Sequence, residues 1–390
     1  MTNSYDFNNP IRDVSPEFDT IIANSPSLLR LFGSLNPNNT LNTGSPVVTN
    51  NQYEWVDDVL TAVATTITGF DTDGDGTGIN VASTDGIEVG SILRFTTSAD
   101  VTRTEQVQVA SVDSATDLTV VRDYAGSAGE TFVIGDKVFL NSTPRNENSG
   151  VGATKTQQGS IVVNYTEIFD EAILLSRTAQ ATDTYDRANL IARQQYAAMI
   201  RLARKLENST LHGLPLARNS ADQGTMGGLI HFLSQVGGNV NSTGDAISQT
   251  LINDVIEDIS AKGGMLIDPV LICSPNQARR ISAFNTSGSN PITYRQSGST
   301  STGEFVTSFI GDLPINGNGT TAQVFVAQNM LRDQVLVLDA SKVNLRTMSP
   351  LSVETLPKTT DGTTQRMLTE LTLEVNNAKE SHGILTGLSV

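Results

Sequence analysis

Cysteine, histidine and tryptophan are scarce in this chain of 390 residues, which holds one cysteine, three histidines and one tryptophan. A lone Cys273 excludes an internal disulfide, and with only His212, His231 and His382 beside it no Cys/His zinc framework can be built. Stability must then come from packing or from assembly. Positive charge is short as well: 25 Lys and Arg stand against 41 Asp and Glu, a formal net charge of −16 at pH 7. The basic residues are scattered, whereas gripping a phosphate backbone takes clustered positive charge, so nucleic-acid recognition is a poor reading of the main task. Long hydrophobic runs are missing too. None approaches the ~18 apolar residues of a spanning helix, so no membrane partner is expected. The opening stretch MTNSYDFNNPIRDVSPEF has neither the basic n-region nor the apolar h-region of a secretion signal.

What is present is length for two or three domains and, at 38% hydrophobic residues, enough apolar surface for a core. Residues 1–50 read as an arm. Ser15-Pro16-Glu17 and Ser25-Pro26 each set a cap and a first-turn proline before short apolar runs, the second (LLRLF) stopped by Gly33. The polar stretch from Asn36 to Asn51 can bury little and should run over a surface. From residue 62 to residue 140 the text changes to short β-rich runs (AVATTI, SILRFTT, EQVQVASV, DLTVVRD, TFVIGDKVFL) broken by Gly, Asp and Ser. Even spacing of that kind predicts a small barrel or sandwich. Trp55-Val56-Asp57-Asp58 before it and SIVVNYTEIFDEAILLS after it read as the two sides of one extended excursion.

Residues 185–211 carry the clearest helix, with Ala192, Tyr196, Met199, Ala203 and Leu206 at 4-3-4-3 spacing. At ~1.5 Å per residue it is a rod on the order of 40 Å long, suited to a scaffold axis. A mixed α/β region follows the turn GTMGGL: a helix face of Ile247, Leu251, Val255, Ile256 and Ile259, the strand PVLIC, and a helix capped by Ser274-Pro275. Further strands (EFVTSFI, QVFVA, QVLVLD) lead to a tail in which Met367, Leu371, Leu373 and Val375 fall near period two.

Chemistry is hard to find. Asp71, Asp73 and Asp75 open a D-x-D-x-D-G run like that of a calcium loop, where alternate carboxylates converge on a hard cation. Position 12, which should be a bidentate Glu, is Ala82, and no helices flank the run, so a solvated turn is the better reading. The histidines stand far apart and no serine sits in a G-x-S-x-G elbow, so no triad or metalloprotease helix can be assembled. His231 beside Phe232 reads as packed, and Cys273, at the end of VLIC, as a small buried hydrophobe. The Gly-rich pieces lack the lysine and the strand-to-helix context of a phosphate cradle and read as turns. No catalytic, cofactor-binding or metal residue is assigned, and no cofactor is expected.

The order of parts resembles the major capsid proteins of tailed bacteriophages with the Hong Kong 97 fold, in particular a subfamily with a β insertion in the extended loop. The resemblance rests on Glu54-Trp55-Val56-Asp57-Asp58-Val59-Leu60, on Arg204-Lys205-Leu206-Glu207 with Leu211-His212-Gly213, and on Gly224-Thr225-Met226-Gly227-Gly228-Leu229. The closing LTELTLEVNN and HGILTGL complete it. It implies an α+β chain that is not an enzyme. Residues 1–50 would be the N-arm, 51–168 an extended loop containing the insertion 62–140, 169–224 a peripheral domain with spine helix 185–211, 225–340 the axial domain, and 341–390 strands returning to the peripheral domain. The implied partner is the chain itself, in hexamers and pentamers closing an icosahedral shell near packaged double-stranded DNA. Scaffold, portal and decoration proteins are further possible partners. The implied location is the virion, after assembly in the host bacterial cytoplasm. No charge-rich helical segment of the fused-scaffold kind is seen at the amino terminus, and Lys155 lies near the loop where some relatives crosslink Lys to Asn, but no crosslink is assigned. Two other readings compete. A β-rich phage surface or tail adhesin suits the polar β module but not the long helix, and a hydrolase on the α/β region lacks a nucleophile and base.

Overall fold

The computed structural model describes residues 28–32, 48–58, 64–70, 77–96, 104–127, 131–145, 147, 159–181, 190–235, 239–242, 244–283, 308–310, 321–358 and 360–389. The chain enters with a one-turn helix α1 (Leu28–Leu31) and strand β1 (Gln52–Asp57). Six strands follow: β2 (Ala64–Phe70), β3 (Gly78–Val81), β4 (Ile92–Thr96), β5 (Thr104–Val112), β6 (Asp117–Val121) and β7 (Lys137–Ser142). Strands β8 (Ser160–Tyr165) and β9 (Glu167–Ser176), a short helix α2 (Arg177–Ala181) and the long helix α3 (Leu190–His212) complete the first half. The second half runs β10 (Asn239–Ser242), α4 (Gln249–Ala261), β11 (Pro269–Cys273), α5 (Pro275–Ser282), β12 (Ser308–Ile310), β13 (Thr321–Val326) and β14 (Val335–Asp339). It closes with β15 (Val343–Thr355), β16 (Gly362–Val375), α6 (Ala378–Ser381) and β17 (Gly383–Thr386).

Strands β2 to β7 close into a barrel in the order β2-β3-β6-β5-β4-β7. Closure follows from strict alternation: Val107 and Val109 point inward along β5, Leu118 and Val120 along β6, Leu93 and Phe95 along β4. These side chains fill the lumen, and Phe132 meets Phe95 edge-on with ring centroids 5.0 Å apart. A carboxylate of β5 is buried with them. Glu105 is 0% exposed, and Arg122 and the Asp123 N–H satisfy it.

The two sides of the excursion do pair. Strands β1 and β8 form an antiparallel ribbon whose last pair is Asp57↔Ser160, so the chain enters and leaves the barrel side by side. Gly159 sits close to the partner strand: a Cβ would lie 2.4 Å from Val56 Cγ1, an exposed side chain that would have to turn aside, and 3.1 Å from the Asp57 carbonyl oxygen. This register yields a prediction. Deleting residues 59–158 joins Asp58 directly to Gly159, an Asp-Gly loop of the type the tight hairpin turn prefers. The shortened chain should fold, with a urea midpoint that changes by no more than about 1 kcal/mol in the unfolding free energy. Loss of cooperative unfolding would mean that the barrel belongs to the main core.

Helix α3 lies over a three-stranded sheet of order β15-β16-β9. Phe169, Ile173, Met367 and Leu371 from the sheet join Ala198, Leu202 and Leu206 of the helix in the main core. The 4-3-4-3 stripe expected on this helix is therefore only partly right. Ala203 and Leu206 are buried, but Ala192 is exposed and Tyr196 is 39% exposed, while Ala198, Leu202, Glu207, Thr210 and Leu211 are buried instead. The amino-terminal turns of α3 do not enter the core, so the apolar residues written there do not mark its buried face.

The remaining strands form a six-stranded mixed sheet of order β10-β17-β14-β11-β13-β12. Strands β11 and β14 are buried along their whole length, as central strands covered on both faces must be. One face, with Val270, Ile272, Leu336, Leu338 and Ile384, belongs to the main core. The other, with Leu271, Cys273, Val335, Val337 and Leu385, is covered by α4 and α5. Ser248 and Ser274 cap these helices by accepting N–H bonds from Leu251 and Gln277. The tail is shared between the two sheets. β15 and β16 join β9, but β17 inserts between β10 and β14, so the expectation that 341–390 returns as a unit fails at residues 383–386. Ile384 and Leu385, each 0% exposed on opposite faces, are what place it there.

Candidate functional site

Most of the sequence stretches that stood out for their order meet at one junction, where α3 ends, the ribbon meets the body and GTMGGL crosses beneath. The Gly228 N–H donates to the Gly213 carbonyl at 2.9 Å, and the Gly213 N–H to the Ser209 carbonyl at 2.9 Å. Neither glycine can carry a side chain. A Cβ on Gly213 would lie 2.3 Å from the Met226 carbonyl oxygen, and one on Gly228 would lie 2.7 Å from the Gly213 nitrogen. Read from sequence, GTMGGL was a turn, but Met226 and Leu229 are each 0% exposed, so it is a buried crossing.

Asn164, also 0% exposed, clamps that crossing. Its Oδ1 accepts the Gly227 N–H at 2.7 Å, and its Nδ2 donates to the Gly227 carbonyl at 3.2 Å and to the Leu373 carbonyl of β16 at 2.7 Å. Glu167 accepts from the Met226 N–H at 3.1 Å and the Ser209 hydroxyl at 3.2 Å, and burial raises its pKa. Glu370 accepts from Thr166 at 2.7 Å and Arg218 at 3.0 Å. On the ribbon itself, Tyr53 donates to Glu374 at 2.9 Å. Burial opposes ionisation of Glu374, yet bonds from Arg346, Asn376 and Tyr53 hold its pKa below the usual value. Trp55 packs on Phe232 with ring centroids 5.6 Å apart. Each of these groups joins two chain segments that are distant in sequence, and the site is a mechanical anchor for the ribbon.

The arm is tied in through a further carboxylate, singled out in the sequence only for its place in the order of parts. Glu207 of α3 is 1% exposed, its Oε1 accepts the Leu28 N–H at 3.2 Å, and its Oε2 has no hydrogen-bond partner. Burial pushes its pKa up to about 7. A charged residue flanked by Leu206 and Leu211 at buried positions was the available signal. Leu28 and Leu29, each 0% exposed, pack into the same core.

The histidines stay apart. His212 Nε2 meets the Asn329 carbonyl oxygen at 2.9 Å, and the His231 ring stands edge-on to Phe232. His382 is 0% exposed, with Nδ1 accepting the Asp339 N–H at 3.2 Å and Nε2 3.2 Å from the Asn376 carbonyl oxygen. Cys273 is 0% exposed and burial pushes its thiol up to about 12, so it is unreactive packing, as expected. Asp71, Asp73 and Asp75 lie outside the described residues, as does Lys155. Among the described residues no three His, Cys, Asp or Glu side chains converge in a way that could hold a metal.

The anchor ties an excursion and an arm to one body. Over residues 1–389 the chain matches the family described as SU10 major capsid protein. The chain belongs to that family. It is a shell-forming virion protein, and the capsid family is a structural one, so neither the adhesin nor the hydrolase reading is retained. No curated protein matches it. Solved structures similar to this capsid protein include a chain of Microbacterium phage Oxtober96, at 12% identity and TM-score 0.49, covering 97% of this chain and 96% of that one. The capsid of a native GTA particle covers 99% and 98% at 11% identity and TM-score 0.49, and a chain of Mycobacterium phage Bobi covers 63% and 79% at 16% and 0.43. The mixed α+β architecture with its long helix and closed barrel fits the Hong Kong 97-type fold that the sequence suggested.

Proposed function

We propose that this capsid protein assembles into hexamers and pentamers that close an icosahedral shell around packaged double-stranded DNA, in the host bacterial cytoplasm. Residues 1–50 act as the arm, 51–168 as the extended loop with its barrel, 169–224 and most of 341–390 as the peripheral domain, and 225–340 with β17 as the axial domain. The observation that carries this is the outer face of the ribbon. Val56 and Ile161 are a direct cross-strand pair and are 63% and 65% exposed, opposite a face that Trp55 anchors in the core. Covering each with a neighbouring copy contributes roughly 1–2 kcal/mol at about 25 cal/mol per Å² of apolar surface. The contact repeats at every copy in the shell, so small terms add up. The net charge of −16 suits a wall that must not hold DNA tightly. Portal, scaffold and decoration proteins are the further partners of this reading.

Expressed protein should sediment as closed shells or as pentamers and hexamers, and electron microscopy should show them. A monodisperse monomer in every salt and scaffold condition overturns the proposal. Replacing Val56 and Ile161 together by serine should lower shell yield at least tenfold and leave the unfolding midpoint of the free subunit unchanged. Normal shells from this double variant would place the contact elsewhere.

A further inference from the structure

The sheet face that α4 and α5 cover carries an acidic helix surface over one half, and a basic pocket lies at the strand ends of the other half. Helix α5 covers the β11–β13 half of the sheet face, and α4 covers the β10–β17–β14 half of the same face. Strands β11 and β13 run parallel and end at Cys273 and Val326, and beyond these carboxyl ends lies a cavity of about 410 Å³. Ser274, Asn276, Arg279, Gln328, Met330 and Arg332 line it. The crevice past the carboxyl ends of parallel strands, at the amino terminus of a helix, is a place where partial positive charge collects. Two guanidinium groups reinforce it. Among the described residues neither Arg279 nor Arg332 has an ion-pair partner, and both are exposed. Arg280 beside them donates to the Ser389 hydroxyl at 3.0 Å, and Asp333 is the acid that adjoins Arg332.

The outward face of α4 is acidic. Thr250, Asp254, Glu257 and Asp258 share the exposed face of α4. Lys137 of the barrel takes Glu257, and Lys262 and Lys137 both act on Asp258. Asp254, one turn earlier, is exposed and has no ion-pair partner among the described residues.

A ring of identical subunits is built from heterologous contacts, so each copy must present two different, complementary patches. We propose that the Arg279 and Arg332 pocket of one copy receives the Asp254 carboxylate on α4 of the next copy around the ring. The inference rests on the ring assembly proposed above and names its lateral contact. The occupant is a second copy and not DNA because a chain with 41 acids against 25 bases presents carboxylates to every neighbour and repels phosphate. An arginine fork pairs a carboxylate in two-pronged geometry, which fixes the lateral register as well as the attraction.

The test leaves both charges in place. Cysteines are introduced as Thr250→Cys on the exposed face of α4 and Gln328→Cys at the pocket, with Cys273 buried and out of reach. A short bis-maleimide applied to assembled shells should give a covalent ladder on a denaturing gel that closes at five and six chains. Shells seen by microscopy with only a monomer band would overturn the pairing while leaving the ring reading intact. No shells from the unmodified protein would overturn the ring reading, and the pairing with it. Arg279→Glu in the same background should cut the ladder at least tenfold at low ionic strength, and adding Asp254→Arg should restore it. A ladder unmoved by R279E, with looser DNA retention by the shells, would make phosphate the occupant and reject the pairing.

Discussion

Gly213→Ala and Gly228→Ala should each destabilise the subunit by on the order of 3 kcal/mol or more and abolish shell formation. The reason is backbone against backbone. A Cβ on Gly213 would sit 2.3 Å from the Met226 carbonyl oxygen and 2.6 Å from that of Ser209, and one on Gly228 would sit 2.7 Å from the Gly213 nitrogen. No flexible side chain stands there to move aside, so α3 and the GTMGGL crossing would have to separate. That breaks the 2.9 Å bond between Gly228 and Gly213 and loosens the Asn164 clamp on Gly227. The double variant should cost less than the sum of the two, because one separation relieves both overlaps. Gly90→Ala is the control. Its φ of +87° strains any side chain, yet nothing lies within 4 Å, so only a backbone penalty of about 1–2 kcal/mol is expected. Urea unfolding of the free subunits measures all four, and equal losses at Gly90 and Gly228 would refute the steric account.

The second large effect is a pH dependence with two opposed contributions. Burial pushes the His382 imidazole down to about 4 from an ordinary 6.5, against the pull of Asp339. Its Nδ1 accepts a backbone N–H, which only the neutral ring can do. A depressed histidine leaves its stability intact above about pH 6.5 and loses it as the pH falls toward about 4, roughly 3 kcal/mol in all. Glu207 has the reverse sign. Burial raises it to about 7 from 4.5, so its share is complete below about pH 4.5 and is lost as the pH rises through about 7, again roughly 3 kcal/mol. Between these limits the two slopes offset each other, and the intact subunit should show a shallow profile. Glu207→Gln keeps an acceptor for the Leu28 N–H and removes the charge. It should therefore raise the unfolding free energy at pH 8 by up to about 3 kcal/mol, leave it unchanged near pH 4.5, and expose the full acid slope of His382. An unchanged midpoint at pH 8 would show that Glu207 is not held as a buried carboxylate.

Much of the fold could be read before any coordinates. Short β-rich runs broken by turn residues identified β5 and β6, and the near-period-two spacing of Met367, Leu371, Leu373 and Val375 identified β16, although residues 371–375 are buried on both faces. The Ser274-Pro275 cap marked the start of α5, because capping chemistry is local. The ribbon was visible as two flanks of one excursion, and β1 and β8 do pair. The anchor was not visible. Asn164, Glu167 and Glu207 are polar residues in ordinary strand and helix text, and their importance comes from partners such as Leu373 and Leu28 that lie far along the chain.

Composition and periodicity were enough to exclude disulfide, zinc and spanning-helix solutions and to mark an inserted β module, since each of those follows from local residue chemistry, while the shell subunit came from the resemblance in the order of parts. Which face of α3 is buried, where β17 pairs, and why Gly213 and Gly228 must be glycine emerged only once the chain was folded. Burial and close approach are properties of segments brought together across the whole chain, and no local stretch of residues contains them.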